Sequence, residues 1–373
     1  MNEDKSNRYH RLKRRASIAG FVGSVLLLII LLASGLSSSM RDAAEAIGAR
    51  TGSSAWAPVV AAFAYVVLLS VLHEAASLPL AFYSGFVIER RYDLSTETLR
   101  SWLADQAKGL AIGLVLGAGG TELIYWLMRR TPEAWWLWAG GLFALLIVGL
   151  TNLAPVLLLP LFYPIKPLDR DPLRMRLLAL ANRAGARVLG AYEWGLAGKT
   201  KRANAALAGI GATRRILVSD TMLMEYTDDE IEVVLAHEMA HHVHGDIWKG
   251  ILFESGLIVA GFYLAARLLR ALSPAIGLRG PDDVAGLPLL LLAAGAVSVV
   301  MMPIAHALSR AFERSADRFA LDLTRNPSAF VSAMRRLAAQ NLAEDNPSKI
   351  VQLLFYSHPP IRERIAAAET FRI

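Results

Sequence analysis

Residues 233–246 read VVLAHEMAHHVHGD and hold four of the chain's eight histidines. His237 and His241 stand four apart. On a helix that spacing stacks both imidazoles on one face, a turn apart, as a tetrahedral metal requires. Glu238 follows the first histidine, and in HExxH helices such a glutamate takes the proton of a water that zinc activates. Thr227 is placed to cap this helix, with Glu230 three residues on, a capping box just ahead of an apolar run. His242 points about 100° away from His241 and has no histidine four residues off. His244 is three residues past His241 and could reach the site from behind. Both read as polar residues at the water-exposed end of the helix. The chain has no cysteine, so a metal here is held by His, Asp or Glu.

Two histidines leave a catalytic zinc one protein ligand short. Downstream, SRAFERSADRFALDL (309–323) offers Glu313 and Asp317, again four apart. Glu313 could ligate the metal, and Asp317 could accept the second ring N–H of a ligand histidine and fix its tautomer. Alternatively the two belong to a solvated charged face with Arg310, Arg314 and Arg318. His306, seven residues before Glu313, reads as a polar residue inside the membrane, not a ligand.

The elements that must position these groups are mostly apolar. Of 373 residues, 54% are hydrophobic, and the mean hydropathy of +0.40 points to a membrane protein. Six runs reach the roughly 20 residues that a bilayer span takes; they fall near 18–36, 58–86, 109–128, 135–163, 251–272 and 287–308. The first follows KSNRYHRLKRR and, with five more behind it, reads as an anchor, not a cleaved signal. Lys and Arg crowd the tail (six within 1–17), the stretch after the second run and the stretch after the fourth. The positive-inside rule therefore puts both termini and the segment between runs four and five in the cytoplasm. The same bias accounts for the net charge of +7. Aromatics are not interleaved with the basic residues, so no nucleic-acid partner is expected.

Five parts follow: a basic tail (1–17), four spans (18–164), a catalytic domain with a short sheet and the HExxH helix (165–249), two spans (250–309), and a helical C-terminal part that completes the site (310–373). Within the catalytic domain, RVLGAYEWGLAGKTKRANAALAGIGATRRILVSD reads as short strands broken by glycine, most clearly over 215–219. The C-terminal part breaks at NP and HPP. The HExxH helix reaches Gly245 just before the fifth run, and Glu313 follows just after the sixth. The metal should thus lie at the membrane–cytosol boundary, where a substrate would itself be at the membrane. His73 and Glu74 (in HEAAS) and Glu122 fall inside spans, where ionisable groups would line a wet cavity.

Several separated motifs, in order, resemble the membrane zinc metallopeptidases that include the type I CAAX prenyl proteases. They are SLPLAFYSGFVIERRYDLSTETLRSWLADQAK, KRANAALAG, RRILVSDTM, HEMAH, FERSAD and SHPPIRER. The resemblance implies one Zn2+ held by His237, His241 and Glu313, with Glu238 as general base and Asp317 behind a ligand. It further implies that Asn204 holds substrate backbone, that His358 stabilises the oxyanion, and that Arg364, the arginine after His-Pro, takes part in substrate binding. The fold class it implies is mainly α. About six transmembrane helices enclose a cavity, and a small α+β zincin-type catalytic domain sits at the cytoplasmic face. The activity implied is a zinc endopeptidase acting on peptides or membrane proteins at the bilayer, lipidated substrates among them. The chain differs in having six runs where eukaryotic members have seven spans, and ALAG where they carry bulky aromatics after Asn-Ala. Its Ala, Arg, Gly and Leu bias points to a bacterial inner membrane. Two other readings are a quality-control protease of the same superfamily and a non-catalytic zinc scaffold or chaperone. Glu238 speaks against the last, since a structural site needs no base.

Overall fold

Five of the six apolar runs become helices longer than the runs themselves, and the fourth, 135–163, becomes a helix of 28 residues. The computed structural model describes residues 3–209, 214–344 and 346–372. Residues 1, 2 and 373, the ends of the expected tail and C-terminal part, fall outside it. The chain opens with α1 (Glu3–Ala33), α2 (Leu36–Ala49), α3 (Ala57–Arg91), α4 (Leu99–Arg130) and α5 (Trp135–Phe162). Then come β1 (Ile165–Pro167), α6 (Asp171–Arg183), β2 (Gly190–Trp194), β3 (Ala205–Ala208) and β4 (Arg215–Ser219). The rest is helical: α7 (Asp220–Glu225), α8 (Asp228–Val243), α9 (Asp246–Leu272), α10 (Leu287–Thr324), α11 (Pro327–Gln340), α12 (Lys349–Phe355) and α13 (Ile361–Glu369).

Six helices, α1, α3, α4, α5, α9 and α10, are long and apolar enough to cross a membrane. Their outward faces keep residues such as Val115, Leu145, Leu252 and Val300 exposed, as contact with lipid tails permits and water would not. Inside, Tyr65 and Tyr125 are almost fully buried. Each finds a polar partner, Tyr65 on the Ser37 hydroxyl and Tyr125 on the Asp283 carbonyl. Helices α5 and α9 approach so closely at Gly140 that a Cβ there would stand 2.8 Å from Val259 Cγ2. Helix α2 has 14 residues and is too short to span. It closes one end of the bundle through the buried Arg41–Asp283 ion pair.

The basic tail is not a loose arm. It is the first turns of α1, and one face docks on the C-terminal part. Ser6 Oγ donates to the carbonyls of Leu342 and Ala343, and Arg14 pairs with Glu344.

The four strands form one sheet in the order β1-β2-β4-β3. Strands β2 and β4 run parallel, and the two outer pairings are antiparallel. Strand β3 is therefore an edge, and it faces α8. Helix α8 is the centre of the catalytic core. Ile231, Val233, Leu235, Ala236, Met239 and Ala240 are all buried on it, among residues of α6, the sheet and α11. Its start is fixed by the capping box: Thr227 Oγ1 accepts from the Glu230 N–H, and the Glu230 carboxylate accepts from the Thr227 N–H. Such a cap is worth about 1 kcal/mol.

Candidate active site

Two rigid connections bring the chemistry together. Helix α8 ends at His244, Gly245 takes a left-handed φ of 68°, and α9 begins at once with Asp246. Helix α10 runs unbroken for 38 residues from its apolar half into FERSADRF. Each of the two ligand-bearing segments is thus fused to a membrane-length helix.

At their meeting point, His237, His241 and Glu313 each present one ligand atom, all within 4.8 Å of one another. His237 Nε2 lies 3.2 Å from Glu313 Oε2, and His241 Nε2 lies 3.4 Å from Glu313 Oε1. Zinc bonds of 2.0–2.2 Å at tetrahedral angles separate neighbouring ligand atoms by about 3.4 Å. The donor set and its spacing therefore fit a zinc ion. Glu313 Oε2 adds to the fit. It is buried with no hydrogen bond of good geometry among the described residues, although His358 Nδ1 stands 2.8 Å away.

Each histidine turns its other nitrogen to a carboxylate. His237 Nδ1 lies 2.8 Å from Asp317 Oδ1, and His241 Nδ1 lies 3.1 Å from Asp246 Oδ2. A carboxylate there fixes the tautomer and aims Nε2 at the metal position. Burial disfavours charge on His237, but the Asp317 and Glu313 carboxylates beside its two ring nitrogens outweigh this and raise its pKa to about 9. Metal binding needs the same ring neutral, so metal and proton compete for Nε2. Burial also raises the Glu238 pKa, with His237 and His241 pulling it back. A base with a pKa lifted toward neutrality is suited to taking and returning a proton.

The remaining expected site residues take varied places. His358 is exposed beside Glu313, its side chain 61% accessible. Asn204 is exposed and immediately precedes β3; its N–H donates to Ser219 Oγ. The Arg364 side chain is 10% exposed and bridges both oxygens of Asp317, at 2.6 and 2.8 Å. It braces the carboxylate behind His237. His242 is not a water-facing end residue, since its Nε2 donates to the Leu207 carbonyl at 2.8 Å. His244 contacts Ser315 and Phe319 and does not join the cluster. His306 lies near the Leu353 carbonyl, away from it. Inside the helices, His73 bonds Ser24 and lines a cavity of about 370 Å³ between α1 and α3. Glu74 and Glu122 are not among its lining residues.

Two contributors were not read from the sequence. Asp246 is one. The other is Arg310, one turn before Glu313, which donates to the carbonyls of Gln352 and Tyr356 and so anchors the segment leading to His358.

A membrane-length helix bundle that carries an HExxH helix and a glutamate from a second helix, with a carboxylate behind each histidine, defines a membrane-embedded metallopeptidase. Residues 167–372 match Peptidase family M48, and residues 2–164 match the CAAX prenyl protease N-terminal region, described as five membrane helices. The chain belongs to peptidase family M48 and is an integral-membrane metalloendopeptidase. It is 32% identical to the uncharacterized metalloprotease YhfN of Bacillus subtilis (strain 168), over 98% of this chain and 84% of that one. It is 25% identical to CAAX prenyl protease 1 of Saccharomyces cerevisiae, over 98% of this chain and 85% of that one. The fold matches the crystal structure of S. mikatae Ste24p with a TM-score of 0.84 at 24% identity, covering 98% of this chain and 88% of that chain. In the stretch matched to five membrane helices, four helices here are of spanning length and α2 is the short one.

Proposed function

We propose that this metalloendopeptidase uses zinc, held by His237, His241 and Glu313, to cut membrane-associated peptides at the cytoplasmic face of a bacterial inner membrane. The convergence of one ligand atom from each of His237, His241 and Glu313, all within 4.8 Å of one another, with Glu238 beside His237, carries the reading. Zinc in that position supplies Lewis acidity toward water and the scissile carbonyl. The protein does the rest. Glu238 takes the proton of the attacking water and passes it to the leaving amine. His358 donates a hydrogen bond to the oxygen that becomes negative during attack. Substrate lies extended along the open edge of β3 as an added strand, beside Asn204. Asp317, Asp246 and Arg364 hold the histidines still.

The names of the yeast and other relatives specify CAAX prenyl proteases, which supports a lipidated substrate. The site's position at the junction of α8–α9 and the lower part of α10 supports one anchored in the bilayer. A farnesylated CAAX peptide and its unprenylated twin, assayed with metal content measured in parallel, test this. Wild type should cut the farnesylated peptide faster, and Glu238→Gln should keep zinc and lose turnover. Near-normal turnover in Glu238→Gln would remove its role as base. Equal cutting of both peptides would favour the quality-control reading. Reporter fusions after Arg15 and near Lys199 should both report cytoplasm.

A further inference from the structure

The open edge of β3 is only partly open. The β3–β4 register pairs Ala205 with Val218, Ala206 with Leu217 and Leu207 with Ile216. Just ahead of it, the Ser219 N–H donates to the Asn204 carbonyl at 2.9 Å. Antiparallel ladders alternate, so Ala206 is the next residue bonded to β4, and the N–H and C=O of Ala205 and Leu207 point the other way. An added strand would meet those four groups. Among the described residues three of them have no partner. The fourth, the Leu207 carbonyl, is taken by His242 Nε2 at 2.8 Å. A carbonyl only accepts, so Nε2 carries the proton. His242 rides on α8 four residues past Glu238, and α8 packs directly against β3.

We infer that His242 is a specificity-determining positioning residue that occupies the Leu207 carbonyl, so that the substrate donates one main-chain N–H to this edge, at Ala205, and none at Leu207. The inference rests on the strand-addition reading above. It assigns a cause to a preference that pocket shape would not produce: tolerance of a missing N–H at one defined substrate position. It also gives the last turn of the zinc helix a second task. That turn pins the edge strand while its other face holds the metal.

The test is an amide-to-ester scan of the farnesylated peptide, one N–H removed at a time, with products located by mass spectrometry. Wild type should lose roughly three- to tenfold in kcat/KM at a single position, the hydrogen bond to Ala205, and little at the position two residues along that faces Leu207. His242→Phe keeps a ring and removes the donor. It should acquire a second sensitive position two residues from the first, of similar size. His242→Gln retains a donor and should restore the single-position pattern. Zinc content, measured on each variant, identifies any that has lost the metal site. Two sensitive positions in wild type would overturn the inference without reference to any variant. So would identical patterns in wild type and His242→Phe. A wild type that cuts the peptide yet ignores every ester would overturn it together with strand pairing, while leaving the hydrolytic reading intact. A wild type that cuts nothing would count against that reading itself.

Discussion

His237 and His241 sit one turn apart on one helix, yet what stands behind them differs in kind. Behind His237 is Asp317 on α10, gripped by Arg364 from α13; the three side chains are 8–10% exposed. Behind His241 is Asp246, five residues on in sequence, with Lys249 as its partner, 53% exposed. The first support is assembled from three distant parts of the chain and is almost dry. The second is local; Asp246 is itself only 6% exposed, but its partner Lys249 stands half in water. One ligand is therefore oriented only after the membrane helices and the C-terminal helix have docked on α8. The other is oriented as soon as the α8–Gly245–α9 turn forms. The metal site reports on the completed fold through His237, and on local structure through His241.

The largest break in this contrast should come from Asp317→Ala. It frees the His237 ring and leaves the Arg364 guanidinium buried without its carboxylate. Removing one member of a buried pair costs about 3–5 kcal/mol, and losing the carboxylate behind a ligand histidine costs about 10- to 100-fold in metal affinity. Thermal unfolding and zinc retention against a chelator should both fall, more than in any change on the His241 side. If Asp246→Ala matched it on both measures, the contrast between the two supports would fail.

Next comes Arg364→Ala. Asp317 keeps its bond to His237 but becomes a buried anion with less compensation, since burial already opposes its charge. Stability should drop by about 3 kcal/mol, zinc should be lost several-fold more readily, and KM should stay within a few-fold of wild type. A rise in KM with zinc retention unchanged would favour the place in substrate binding that the resemblance implies for Arg364.

The Arg364–Asp317 pair shows where a sequence reading runs out. Spans are legible because a bilayer demands about 20 apolar residues in a row, whatever they pack against. The ligand pair is legible because helical spacing is local, and so is the Thr227–Glu230 cap. Arg364 is not, because its partner lies 47 residues away and only tertiary docking joins them. His242 was given a correct direction on the helix, but the carbonyl it meets is 35 residues upstream on a strand of four residues. Strand β1, three residues long, is too short to show an alternating pattern and exists by pairing with β2. Asp246 was nearby and still hidden. Five residues past His241 on a continuous helix it would face elsewhere, and the left-handed Gly245 is what brings it back.

A smaller effect should follow from Asp246→Asn. The amide oxygen can still accept from His241 Nδ1, so the ring keeps its tautomer with a weaker, uncharged partner. Zinc affinity should fall about tenfold, the low end for such groups, with little change in thermal unfolding. A loss of stability as large as that of Asp317→Ala would mean that Asp246 is as structural as its counterpart.

The smallest effect should be at Lys249. Its ammonium is 2.9 Å from Asp246 Oδ1, but half of the side chain is in water, where such pairs are worth about 0–1 kcal/mol and are screened by salt. Lys249→Ala leaves Asp246 bonded to His241 and free to be solvated at its other oxygen. Zinc retention at moderate ionic strength should therefore stay within about twofold of wild type, and what difference exists should shrink as salt is added. The Arg364 counterpart supplies the sharp comparison, because a guanidinium that bridges a buried carboxylate is shielded from counterions. Its effect on zinc retention should persist across the same salt series. If both effects faded together with salt, the Arg364 contact would be as wet as the Lys249 contact. If neither did, Lys249 would be held far more tightly than its exposure allows.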